Sequence, residues 1–157
     1  MDLDNCEYLN RVKEFALNEG SQVIPVSCEI ESQISELPVE ERGMFLEELN
    51  IEESGLSKVI KATYALLNLS TFFTVGSDEC RAWTFKNGMT APNCAGIIHT
   101  DFERGFICAE VYTYEAIHQH GSEQAVKEAG LLRTEGKGYY PKDGDIMFFK
   151  FNVSGRK

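Results

Sequence analysis

The stretch that decides the fold is Thr71-Phe-Phe-Thr-Val-Gly-Ser-Asp-Glu-Cys-Arg-Ala-Trp-Thr-Phe85. Before it, apolar residues recur at helical spacing. From Thr71 onward they alternate with period two, and Gly76-Ser-Asp78 interrupts the run as a glycine-containing loop. Two strands, Thr71–Val75 and Cys80–Phe85, joined as a hairpin, are therefore predicted. Downstream, Thr90 precedes Pro92 in the order expected of a helix start, with Gly96 near the end of that helix. Phe106 to Tyr114 alternates again, with Ile107, Ala109 and Val111 expected on one face and Glu110 and Tyr112 on the other. Gly121–Gly130 reads as a brief helix, and Asp143-Gly-Asp145 as a turn entering the strand Ile146–Phe151. Two strands, a helix, a strand, a helix and a strand fit an α+β domain of the β-grasp, or ubiquitin-like, type.

Upstream, Leu9, Val12, Phe15 and Ala16 mark a helix from about Glu7 to Glu19, with Gly20 as its stop. Gln22-Val-Ile-Pro-Val-Ser27 reads as a short buried strand, placed at an edge or an end by Pro25, which lacks a ladder donor. A second helix is expected from Leu37-Pro38, and a third from Ser54 to about Leu69 with Leu56, Val59, Ile60, Thr63 and Leu67 in one stripe. Helix, strand, helix is the pattern of the tail of a parallel α/β sheet. A boundary near Asn68–Ser70 then gives an α/β segment at 1–69, a β-grasp domain at 70–153 and a tail at 154–157.

The net charge of −10 is unevenly distributed. Residues 1–69 carry 14 acidic and 5 basic side chains, and residues 70–157 carry 11 and 10. The first part repels phosphate backbones, whereas the second need not. No apolar run approaches the ~20 residues of a membrane span, and Met1-Asp-Leu-Asp4 lacks the basic start of a signal peptide. A cytoplasmic protein with no membrane or DNA partner is expected. Cys6, Cys28, Cys80, Cys94 and Cys108 are scattered without ligand or redox spacing, so small buried hydrophobes in a reducing compartment are expected rather than a metal or redox site.

Few motifs carry chemistry. Gly130-Leu-Leu-Arg-Thr-Glu-Gly136-Lys137-Gly138 has five residues between its glycines and no hydroxyl after the lysine, so it is expected to be a loop rather than a phosphate cradle. His118 and His120 are two apart without a third ligand, which favours a surface loop, and Asp101, Glu103, Asp143 and Asp145 are explained by turn chemistry. No catalytic residue is assigned. Arg81, Trp83 and Phe85 share a strand face, with Lys86 in the loop after them. A basic strand with an exposed aromatic stacks a base and holds phosphate. The competing reading puts Trp83 in the core with Arg81 over its ring.

Arg81-Ala-Trp-Thr84 within the hairpin, and beyond it His99-Thr-Asp-Phe-Glu-Arg-Gly-Phe-Ile107, Lys127-Glu-Ala-Gly130 and Phe149–Asn152, carry a resemblance. In them the sequence resembles the Obg-like ATPase (YchF-type) family of the translation-factor GTPase class, through its C-terminal TGS domain. Val23-Ile-Pro-Val-Ser27 resembles the last strand of the family's nucleotide domain, and Glu52–Leu69 the helix that links the two domains. The resemblance implies ATP or GTP with Mg in the full-length family, and a ribosome or ribosomal RNA as partner. Ser27 and Cys28 map onto the loop beside the base, and Arg81, Trp83, Lys86 and Arg104 are the expected interaction residues. The family's P-loop, switches and base-recognition motif have no counterpart in the 157 residues, so the chain is expected to be a C-terminal portion that neither binds nucleotide tightly nor hydrolyses it. The alternative is a free-standing TGS module binding RNA or ribosomal protein. Dimerisation through the strand at 23–26 is a further expectation.

Overall fold

The computed structural model describes residues 6–76 and 78–152, which form two compact units, one ending at Thr63 and the other beginning at Tyr64. Ser77 in the hairpin loop, the residues before Cys6 and the expected tail lie outside the described residues.

The described part of the first unit is helical. Helix α1, Glu7–Glu19, ends as expected at Gly20, whose φ of 69° suits a residue without a side chain; Gly20 N donates to Leu17 O and Ser21 N to Ala16 O, closing the last turn. The strand expected at Gln22–Ser27 is not formed. These residues pair with no strand among the described residues, and Pro25 and Val26 are exposed. A run of β-branched residues favours extended backbone, but a strand exists only through a partner's hydrogen bonds. Instead Ser27 caps a helix the sequence reading missed, α2 at Cys28–Glu36, with its Oγ accepting from Ile30 N at 3.4 Å. Helix α3, Val39–Glu48, starts after Pro38. Helix α4, Gly55–Leu66, has Ser54 Oγ accepting from Ser57 N, and Glu31 Oε1 of α2 accepts from Gly55 N at 2.6 Å. A carboxylate at that end complements the helix dipole. The unit buries little apolar surface, since Ala16 and Ile34 are its buried hydrophobic residues.

The second unit is a five-stranded sheet with helices on both faces. Strand β1, Leu69–Val75, and β2, Cys80–Lys86, form the expected antiparallel hairpin. Its open end is latched by Asn87 N donating to Asn68 O at 2.9 Å and Ser70 Oγ donating to Asn87 Oδ1 at 2.7 Å, which satisfies the buried Ser70 hydroxyl. Helix α5, Ala91–Ile98, follows Thr90 with Pro92 in its first turn, and the short α6, Thr100–Arg104, follows His99. Strand β3, Phe106–Tyr112, leads to α7, Tyr114–His120, and α8, Glu123–Glu128. Strands β4, Arg133–Glu135, and β5, Ile146–Phe151, complete the sheet.

The strand order is β2-β1-β5-β3-β4, with β1 and β5 parallel and the other pairs antiparallel, as expected of a β-grasp. Gly144 N donates to Thr71 O and Phe73 N to Asp145 O, both at 2.8 Å, so the turn before β5 sets the register of the parallel pair. Between the sheet and α5–α6 lies the main core, including Phe72, Phe85, Cys94, Ala95, Val111, Met147 and Phe149. Phe72 meets the Phe149 ring edge-on at 5.8 Å and is fully buried. On the other face, α7 and α8 cover Tyr112 and Ile146 through Ala116 and Val126.

One expected facing fails. Ile107 is exposed, whereas Phe106 is buried together with Ala109 and Val111. Phe106 pairs with Phe151 and Cys108 with Lys150, so Ile107 is an extra residue on β3, a β-bulge that inverts the alternation at that point. Beside it Gly105 O accepts from Asn152 N at 2.8 Å; a Cβ on Gly105 would sit 2.4 Å from Asn152 O.

Candidate functional site

Arg81 and Trp83 lie on the face of β2 that looks toward the main core, and both readings of them are partly realised. Trp83 is half-buried against that core and its Nε1 donates to Thr74 Oγ1 at 2.9 Å. The Arg81 guanidinium lies 4.2 Å from the centre of the indole and is exposed to solvent. The cation therefore occupies a face of the ring, and a base stacks there only by displacing it. Arg81 itself remains available to phosphate. Lys86 is exposed at the end of β2, and by strand alternation it projects to the sheet face opposite Arg81. Arg104 is exposed in the last turn of α6, on a different element. The four residues are thus spread over two faces of β2 and one helix end rather than gathered into a single patch.

Ser27 and Cys28 stand at the start of α2. The Ser27 hydroxyl is taken by the helix cap, Cys28 is exposed, and Glu29 and Glu31 fill the first turn with negative charge, which opposes an anion there. Among the described residues no group of three or more His, Cys, Asp or Glu side chains could hold a metal ion. His118 and His120 are exposed on the last turn of α7 rather than in a loop, with the His118 ring stacked on Tyr114 one turn earlier. Asp101 and Glu103 lie on α6 rather than in a turn; Asp101 N donates to His99 Nδ1 at 3.1 Å and Glu103 Oε1 accepts from Asn93 Nδ2 at 3.0 Å. The stretch Gly130–Gly138 contains β4 in addition to loop, with Gly130 in the left-handed region after α8.

The tightest polar constellation was not legible from the sequence. Asp145 is buried, and its Oδ2 accepts from Tyr139 Oη at 2.6 Å and from Lys142 N at 2.8 Å. Arg133 on β4 reaches Asp145 Oδ1 at 3.6 Å, donates to the Tyr139 hydroxyl at 3.2 Å and pairs with Glu135. Burial, and then the bond to Asp145, push the Tyr139 hydroxyl up to about 12. Of the five cysteines expected to be buried, Cys94 is, and burial alone pushes its thiol up to about 12, which leaves it an inert core residue. Cys28 at a helix start and Cys80 at a strand end are exposed, and Cys6 and Cys108 are half-buried. On the sheet face opposite the main core Glu110 bonds Lys150, and that bond raises the lysine's pKa. The only prior signal for the Asp145 cluster was Asp143-Gly-Asp145, which reads equally well as a turn.

Fold and site together define a β-grasp module that carries exposed cations on its sheet and helices. The chain belongs to the YchF-GTPase_C family, whose model, described as "Protein of unknown function (DUF933)", matches residues 69–152. It is 56% identical over 152 residues to the ribosome-binding ATPase YchF of Bacillus subtilis (strain 168), covering 97% of this chain and 42% of that protein. It is 51% identical over 149 residues to the human (Homo sapiens) Obg-like ATPase 1, covering 94% and 37%. The structure of the Schizosaccharomyces pombe YchF GTPase superposes with a TM-score of 0.78 at 37% identity, over 92% of this chain and 38% of that one. A GTP binding protein from Pyrococcus horikoshii OT3, at 19% identity and a TM-score of 0.64 over 96% and 43%, shares the fold. The chain spans about two fifths of the length of these relatives.

Proposed function

We propose that this chain acts as the C-terminal portion of an Obg-like, ribosome-associated ATPase, with residues 1–69 belonging to its nucleotide-binding domain and residues 70–153 forming its TGS domain. The observation that carries the reading is the 56% identity to a ribosome-binding ATPase YchF sustained over 97% of the chain, both units included. In this reading ATP or GTP with Mg binds residues of the full-length family that have no counterpart here, and Ser27 and Cys28 flank the base. The chain alone neither binds ATP tightly nor hydrolyses it, because phosphoryl transfer depends on a phosphate cradle and a metal. Calorimetry with ATP and Mg tests this, and micromolar binding would refute it.

The TGS domain contacts the ribosome, with ribosomal RNA as its ligand through Arg81, Lys86 and Arg104, and Trp83 holds Arg81 in place. The protein works in the cytoplasm; among the described residues no helix is long and apolar enough to cross a membrane. Co-sedimentation with ribosomes checks the assignment. Salt-sensitive binding that weakens on Arg81→Ala and Arg104→Ala is expected, and no binding at any salt concentration removes it. A free-standing TGS module binding RNA or ribosomal protein is the second reading, favoured by the separate buried core of the sheet unit. Self-association through residues 23–26 would have to build its strand on contact, since none is formed in the monomer.

A further inference from the structure

We propose that the loop from Gly136 to Lys142 is a contact for single-stranded RNA, in which the Tyr140 ring stacks on a base and Lys137 and Lys142 hold the adjoining phosphates. This deepens the ribosome-associated reading above and rests on it for the identity of the ligand. The loop reads Gly136-Lys-Gly-Tyr-Tyr-Pro-Lys142 and contains two cations and no acid, in a protein of net charge −10. The acids that border it are engaged elsewhere. Glu135 pairs with Arg133, Asp143 Oδ1 accepts from Thr71 N, and Asp145 is buried with Tyr139.

The loop is held from within while its outer side chains face solvent. Tyr139 O accepts from Ala91 N at 2.8 Å, its hydroxyl donates to Asp145, Pro141 is buried, and Lys142 N also donates to Asp145. Residues 139 and 141 thus point inward and their neighbours outward. Tyr140 is 60% exposed, and Lys137 and Lys142 are exposed on either side of it. Little of the ring's apolar surface is used by the fold, and clamping its backbone removes ordering cost from any stacking contact. Around Gly136 and Gly138 nothing lies within 4 Å of where a Cβ would stand, so a sugar–phosphate chain approaches the backbone unobstructed. An acidic peptide would use the two lysines but not the aromatic face between them, and this favours RNA.

The test is fluorescence anisotropy of the full chain with a short labelled single-stranded RNA of mixed sequence, beside an acidic peptide of equal length. Tyr140→Ala is expected to weaken RNA binding about tenfold, in the range of one lost stacking contact, and Tyr140→Phe to retain affinity. Lys137→Ala combined with Lys142→Ala should reduce the slope of log affinity against log salt by about 1.4, two phosphate contacts at ~0.7 each. All three side chains are exposed, so the variants should melt with the wild type. RNA affinity unchanged by Tyr140→Ala, or tighter binding of the acidic peptide with no dependence on Tyr140, overturns the proposal. Ribosome co-sedimentation separates the two claims. If Tyr140→Ala co-sediments as the wild type does, the loop assignment falls and the ribosome reading stands. If the wild type does not co-sediment, the ribosome reading falls and RNA anisotropy still decides the loop.

Discussion

Asp145→Ala is the sharpest perturbation of the sheet unit. The carboxylate is buried and accepts from Tyr139 Oη at 2.6 Å and Lys142 N at 2.8 Å, with Arg133 at 3.6 Å. A hydrogen bond to a charged acceptor contributes about 1.5–3 kcal/mol net. Two would give roughly 3–6 kcal/mol, but Tyr139 is only half-buried and regains water when its partner is removed. The Arg133 pair adds at most about 1 kcal/mol, because the arginine is 41% exposed. A loss of about 2–4 kcal/mol is expected. In a unit of this size that lowers the melting temperature by roughly 8–32 °C, at ~4–8 °C per kcal/mol. Thermal melts followed by circular dichroism measure it, and amide exchange at Lys142 localises it. Asp145→Asn keeps an acceptor without the charge and should fall between the two. If Asp145→Ala melts within about 4 °C of the wild type, less than ~1 kcal/mol, the cluster is not holding β4 and β5 together as described.

Stability should fall with rising pH from about 9. Burial raises the folded pKa of Cys94 from 9.0 to about 12, and that of Tyr139 from 10.0 to about 12. Below pH 9 both groups are protonated in the folded and unfolded chain; above it the unfolded chain loses protons first, so the folded state loses its advantage. Denaturation curves from pH 8 to 10 should be flatter in Cys94→Ala than in the wild type, and an identical slope would count against the thiol. Gly105→Ala should destabilise the sheet unit by about 1–3 kcal/mol, because its Cβ meets backbone that no rotamer change can move; an unshifted melting temperature contradicts this. Hydrogen exchange should be faster at residues 6–50 than at 70–152, since the helical unit buries so little, and equal protection would indicate stabilising contacts the burial pattern does not reveal. Glu31→Ala should speed exchange at the start of α4 by removing the carboxylate on Gly55 N, and unchanged rates there would show that cap to be idle.

The readable elements were those with a local cause. The β1–β2 hairpin follows from period-two alternation around a glycine loop, α1 from its stripe and Gly20, and α5 from Thr90 and Pro92. The misread ones depend on partners. Val23–Val26 looks like a strand until it lacks a neighbour, and Ile107 looks like a core residue until the bulge turns it outward. Helix α2 had a signal in Ser27 followed by Ile30 and Ile34 that the strand reading obscured. At the site, alternation placed Arg81 with Trp83 and the structure stacked them, while the bond holding the indole to Thr74 comes from the neighbouring strand.

Residue order alone carried the β1–β2 hairpin, helices α1 and α5, the α+β class, the uneven charge and the family resemblance, because these depend on near-neighbour sterics and composition. Which strands became neighbours, where the register slipped, and that Asp145, Tyr139 and Arg133 meet are products of the folded packing. Their separation along the chain carries no periodic signal. A buried carboxylate acquires its partners through the closure of β4 and β5 around β3, and that closure is set by packing on both faces of the sheet.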